Sequence, residues 1–137
     1  MYTQEQIYDA IDLYIDRSEI TPDTDLFVEQ GICGDDFDEM MGAYQQAFNV
    51  DMNSYLWYFH SDEEGSFNSI GGAFFKPPYE RVKRIPLTPK LLLEFANQGS
   101  WGIQYPDHKL PKRRWDIIIH QILLVLVLSW ALYSCLT

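Results

Sequence analysis

Twenty consecutive residues without a formal charge, Ile117 to Leu136 (IIIHQILLVLVLSWALYSCL), constrain this 137-residue chain more than any other feature. An α-helix rises about 1.5 Å per residue, so the run measures roughly 30 Å, the hydrocarbon thickness of a bilayer. It is apolar all round, which separates it from an amphipathic surface helix with one greasy stripe. The remaining residues make a domain too small to surround such a helix. The run is therefore expected to be a transmembrane helix over residues 117–136.

The flanks give an orientation. Lys109, Lys112, Arg113 and Arg114 precede the run, and only Thr137 follows it. The positive-inside rule then places residues 1–116 in the cytoplasm, with the four cations and Trp115 at the membrane interface. Trp130 and Tyr133 suit the opposite aromatic belt. Met1 to Asp9 is polar and acidic, unlike a secretory signal, so a tail-anchored, single-pass topology is expected. His120 and Gln121 sit one turn inside the near end. They either reach back to the headgroups or contact another membrane helix.

Charge is as unevenly spread as hydropathy. Of the net −10, residues 1–75 carry −15, with Arg17 their one cation, and residues 76–114 carry +6. Such an acidic head repels nucleic acid and anionic lipid, so a basic protein surface is the expected partner for it, with no nucleic acid. Lipid is the expected partner of the stalk. Cys33 and Cys135, separated by the span, make no disulfide framework, which fits a reducing compartment for the head.

Within the head, Thr3 and Gln6 form a capping box, followed by Ile7, Ala10, Ile11, Tyr14 and Ile15 at helical spacing. This predicts a helix over residues 4–17. A loop with Pro22 and Gly31 as breakers follows. A second helix starts near Asp35, with Phe37, Met40, Met41, Tyr44, Ala47 and Phe48 on its apolar face and Asn49 closing it. Val50 to Phe59, rich in aromatics from Tyr55 on, reads as a turn of helix packed on the core, and residues 60–78 as a mobile loop. Tyr79 to Ile85 reads as a short strand. Thr88 caps a further helix, with Pro89 at its first position and Gly99 at its end. Pro106 and Pro111 mark a polar linker. The expected organisation is a mainly α small helical bundle over 1–101 with that short β element, a basic linker over 102–116, and the membrane helix.

Candidate chemistry is sparse. Asp35, Asp36, Asp38 and Glu39 are better placed for the dipole at a helix start than for a calcium loop, whose oxygen ligands alternate along a loop closed by a glutamate. His60 and His108 have no partner at zinc-ligand spacing. Cys33 has no identifiable histidine, and Gly71–Gly72 follows no strand as a phosphate loop would. No metal site, no cofactor and no catalytic residue is expected, and the chain does not read as an enzyme.

The stretch Ile20 to Met52, ITPDTDLFVEQGICGDDFDEMMGAYQQAFNVDM, resembles an acyl carrier protein. That family has a long loop after helix one and a glycine-aspartate-serine motif opening an acidic helix two. Aligned on Phe48-Asn49-Val50, Gly31 takes the family glycine's place and Glu39 that of an acidic residue. Gly34 stands where the phosphopantetheinylated serine would be, with Cys33 in place of the preceding aspartate. Without a hydroxyl at Gly34 the resemblance implies an acyl-carrier-like scaffold lacking its prosthetic arm. The chain resembles still more closely a bacterial family of carrier-like proteins of unassigned function. The shared segments are Thr24-Asp25-Leu26 with Gly31 to Asp36, Phe48 to Met52, and Pro86 to Trp101.

These readings lead to an acidic adaptor held at a bacterial inner membrane, docking a basic protein through Asp35, Asp36, Asp38 and Glu39. The alternative is a small accessory subunit of an integral membrane complex, contacted mainly through the membrane helix.

Overall fold

A computed structural model describes residues 1–63 and 70–136. Among these residues it is mainly helical and has no strand. The helices are α1 (Gln4–Ala10), α2 (Gly34–Phe48), α3 (Ile70–Phe74), α4 (Pro89–Gln98) and α5 (Trp115–Leu136), with 3-10 turns at Asp12–Tyr14, Trp57–Phe59 and Pro78–Arg81.

The capping box at Thr3 and Gln6 forms, but α1 is shorter than its apolar spacing predicts. It ends at Ala10, and the chain tightens into a 3-10 turn over Asp12–Tyr14. The cause is electrostatic: Asp9 and Asp12 lie at the negative end of the helix dipole, where carboxylates are unfavourable. Arg17 folds back to within 2.9 Å of Asp9 and 3.6 Å of Asp12.

α2 follows its predicted face closely. Phe37, Met40, Met41, Tyr44 and Phe48 are buried, whereas Ala47 is exposed. Small and weakly driven inward, Ala47 yields its place to Phe48, which stacks edge-on against Tyr2 at 4.8 Å. Asn49 ends the helix in the left-handed conformation, as does Gly99 after α4. Thr88 caps α4 as its sequence predicts.

The long loop between α1 and α2 is held by the Asp25 carboxylate, which accepts from the Phe27 and Val28 amides and pairs with Arg84 at 2.7 Å. Leu26, buried beside it, donates its amide to the Leu87 carbonyl. The core of the head joins Ile7, Ile11, Leu26, Phe37, Met40, Tyr44, Leu92, Phe95 and Trp101. Tyr44 crosses it to donate to the Leu92 carbonyl at 2.8 Å.

Three further expectations are corrected. Tyr79 to Ile85 is not a strand: Pro77 and Pro78 start a 3-10 turn at Pro78–Arg81, and a proline without an amide hydrogen is a poor ladder member. Extended pairing occurs instead as one isolated parallel bridge between Asp51 and Ser100. The loop read over 60–78 contains α3, while its residues 64–69 lie outside those described. The linker read over 102–116 is no free tether, because Ile103 and Tyr105 pack on the core and Trp115 already begins α5.

Tyr105 organises the back of the core. Its hydroxyl oxygen accepts from the Trp101 indole N–H at 2.8 Å and from the Leu56 amide at 3.2 Å. With both lone pairs engaged, its O–H points to His60 Nε2, 2.8 Å away. That makes Nε2 an acceptor and leaves Nδ1–H to donate to the Ile85 carbonyl at 2.9 Å. His60 is thus neutral and fully buried, and burial pushes its pKa down to about 4.

Candidate functional site

A cleft of about 600 Å³ lies where the head meets the first turns of α5. Three pieces of chain build it: the start of α2 (Gly34, Asp35, Asp38), the segment Trp57 to Glu63, and α5 from Asp116 to Gln121. Gly72 of α3 and Pro77 complete the wall.

One cation stands among its carboxylates. Arg114 grips Glu63 with two parallel hydrogen bonds, 2.9 and 2.6 Å, and reaches Asp116 through Nε and Nη2 at 3.0 and 2.6 Å. Such paired forks are the geometry a planar guanidinium favours. The two acids raise the Arg114 pKa further above its usual value. Asp38 has its pKa raised, first by desolvation and then by the neighbouring charges of Asp35 and Glu63. Asp62 is raised by desolvation as well. The remaining carboxylates keep the rim acidic.

α3 seals the far side. It packs on α5 so closely that a Cβ on Gly71 would stand 1.8 Å from the Asp116 carbonyl oxygen. Only a glycine permits that backbone approach. Gly71 is therefore a packing device between α3 and α5.

The four carboxylates singled out on α2 are all exposed: Asp35, Asp36, Asp38 and Glu39. None pairs with a cation among the described residues. Asp35 and Asp38 line the cleft; Asp36 and Glu39 do not. Of the stalk residues, Lys109, Lys112, Arg113 and Trp115 are exposed, while Arg114 is committed to Glu63 and Asp116. His120 and Gln121 turn out to line the cleft with the head. Among the described residues no three His, Cys, Asp or Glu side chains converge as a metal set. No disulfide links Cys33 and Cys135.

Gly34 opens α2 with a φ of +55°, a left-handed backbone that a residue with a Cβ adopts at a cost. Its amide donates to the Asp62 carbonyl, tying the start of α2 to the segment that carries Glu63.

α5 is 22 residues long with a mean hydropathy of 2.0 over its most apolar stretch, none of which is buried by the rest of the chain. By length and composition it can cross a membrane. The side chains from Ile122 to Leu136, apart from Leu123 and Ala131, are exposed.

Residues 2–104 match the model of a family described as proteins of unknown function, DUF1493, and the chain belongs to that family. The match covers the head and stops before α5. No curated protein and no solved structure matches the chain.

Proposed function

We propose that this member of the DUF1493 family is a non-catalytic, membrane-tethered interaction domain that docks a basic protein partner through the exposed edge of α2. The carrying observation is the asymmetry of that helix. One face is buried in the core, and the other presents Asp35, Asp36, Asp38 and Glu39 to solvent with no cation of the described chain to neutralise them. Uncompensated like charges on one short surface repel one another, and a basic surface relieves that repulsion while steering encounter.

The acyl-carrier-like reading supports the same use of α2, because carrier domains present this acidic helix to basic patches on their enzymes. Gly34 bears on the missing arm. Glycine has no hydroxyl to bear a phosphodiester, and its left-handed backbone is one a serine would adopt only under strain. On this reading the scaffold keeps the docking helix and has no covalent cargo.

We place α5 across a bacterial inner membrane with the head in the cytoplasm, on the strength of the uncharged span and the cations Lys109, Lys112 and Arg113 before it. A second reading, an accessory subunit that engages a membrane complex through α5, draws support from the bare apolar surface along Ile118, Ile122, Val125 and Leu126.

A gentle detergent pull-down from native membranes separates the two. The double charge reversal Asp35→Lys/Asp36→Lys should abolish salt-sensitive capture of a basic partner. Exchange of α5 for an unrelated apolar helix should leave that capture intact. The opposite pattern would make the accessory-subunit reading the better one and remove the docking role of α2.

A further inference from the structure

α3 has two different faces. Gly71 is buried against the backbone of Asp116, and Gly72 lines the cleft. Ile70, Ala73 and Phe74, at i, i+3 and i+4, share the opposite side. Ile70 is 54% exposed and Phe74 76%. Phe75 follows, also exposed, and then Lys76, whose carbonyl accepts from Arg81. Five residues thus set an apolar surface against a basic edge.

Their level along α5 identifies what this surface meets. The contact with Asp116 fixes α3 at the first turn of α5. There the sequence passes from Lys112, Arg113 and Arg114 to the uncharged run beginning at Ile117. Trp115 and Ile117 of α5 are exposed at the same level of the chain. A surface of Phe, Ile and Trp edged by Lys and Arg, at the polar-to-apolar boundary of a span, matches the chemistry of the headgroup region.

We infer that α3 is a second membrane contact: Phe74 and Ile70 sit in the interfacial layer of the bilayer that α5 crosses, beside anionic headgroups attracted by Lys76 and Arg81. This rests on the reading of α5 as a span and deepens it. The head is then held at the membrane at two points. One is the anchor and the other a non-spanning wedge, so it does not swing on a tether. Asp35, Asp38, Asp62 and Glu63 come to this boundary only in the cleft on the Gly72 side of α3, where Arg114 pairs with Glu63.

Spin labels on the full chain in vesicles of phosphatidylethanolamine and phosphatidylglycerol test the inference, with Cys33→Ser and Cys135→Ser as background. Labels are placed singly through Phe74→Cys, Val127→Cys and Val28→Cys, and each is probed by collision with lipid-soluble oxygen and a water-soluble nickel chelate. The label at 127 is expected to be deep, that at 28 aqueous, and that at 74 shielded several-fold from nickel relative to 28. Nickel access at 74 equal to that at 28, with 127 still deep, overturns the wedge and leaves the span standing. Aqueous behaviour at 127 removes the span and the wedge together. Adding Gly71→Leu, which forces α3 off Asp116, should expose the label at 74 while leaving 127 deep. A label at 74 that keeps its shielding in that variant contradicts the packing on which the inference depends.

Discussion

The head is joined together by two seams of opposite character. One runs through its core, where Phe37, Tyr44, Leu92, Phe95 and Trp101 exclude water and the Tyr44 hydroxyl is satisfied internally by the Leu92 carbonyl. The other joins the head to α5, where α3 is short, the contact is backbone to backbone at Gly71, and one half-buried guanidinium bridges two carboxylates. Apolar burial at roughly 25 cal/mol per Å² is insensitive to salt, whereas a partly exposed ion pair is screened. The first seam should therefore set whether the domain folds, and the second how it stands on α5. The two should fail under different conditions.

The largest separation should come from Phe37→Ala. Phe37 is fully buried, and truncation of such a side chain costs about 3–5 kcal/mol. Denaturant unfolding of the full chain in detergent, followed by tryptophan fluorescence, should show that loss. Amides of α5 beyond Gln121 should keep their exchange protection. Joint collapse of head and α5 would show that the seams are one cooperative unit.

Acid should act next, and first on the core seam. The folded His60 pKa, about 4, lies below its ordinary 6.5, so only the unfolded chain takes up a proton as pH falls between these values. Stability is then fully present above about pH 6.5 and declines by about 3 kcal/mol as pH approaches 4. Asp38 and Asp62, raised from their ordinary value by desolvation, work in the opposite direction near the acid end. Unfolding curves that are flat between pH 7 and pH 5 would contradict the neutral, Nδ1-protonated His60.

The smallest effect belongs to Arg114→Gln. The pair with Glu63 is about one-third exposed on both sides and worth about 1 kcal/mol or less, but the more buried Asp116 loses its partner too, so the total should be about 1–3 kcal/mol. That loss should appear as faster hydrogen exchange in α3 and the first turn of α5, with the core unchanged. High salt applied to the unmodified chain should reproduce it in part. A drop in core stability as large as that of Phe37→Ala would erase the distinction between the seams.

The same division explains what could be read in the sequence. Local rules suffice for the capping box at Thr3, for the buried face of α2 apart from Ala47, for the Thr88-Pro89 start and Gly99 end of α4, and for the length of α5. The junction with α5 depends on partners far apart in the chain. Arg114 meets Glu63 from 51 positions away, which no periodicity encodes. The available hint was Gly71–Gly72 between Ile70 and Phe74, since small residues amid apolar ones invite close helix approach. The early end of α1 likewise follows from Arg17 folding back over Asp9 and Asp12, beyond the reach of hydrophobic spacing. For the candidate site, spacing placed the four carboxylates of α2 on a helix start, but joining Asp35 and Asp38 to a cleft shared with His120 required the fold.

Tyr105 makes the head inseparable from the segment that leads out of it. Its one hydroxyl serves Trp101, Leu56 and His60, so a chain cut after residue 101 would leave a buried imidazole and a buried indole each short of a partner. The smallest portable version of this domain therefore extends past Tyr105. A fusion or truncation that treats 102–108 as disposable spacer would be expressing a damaged core.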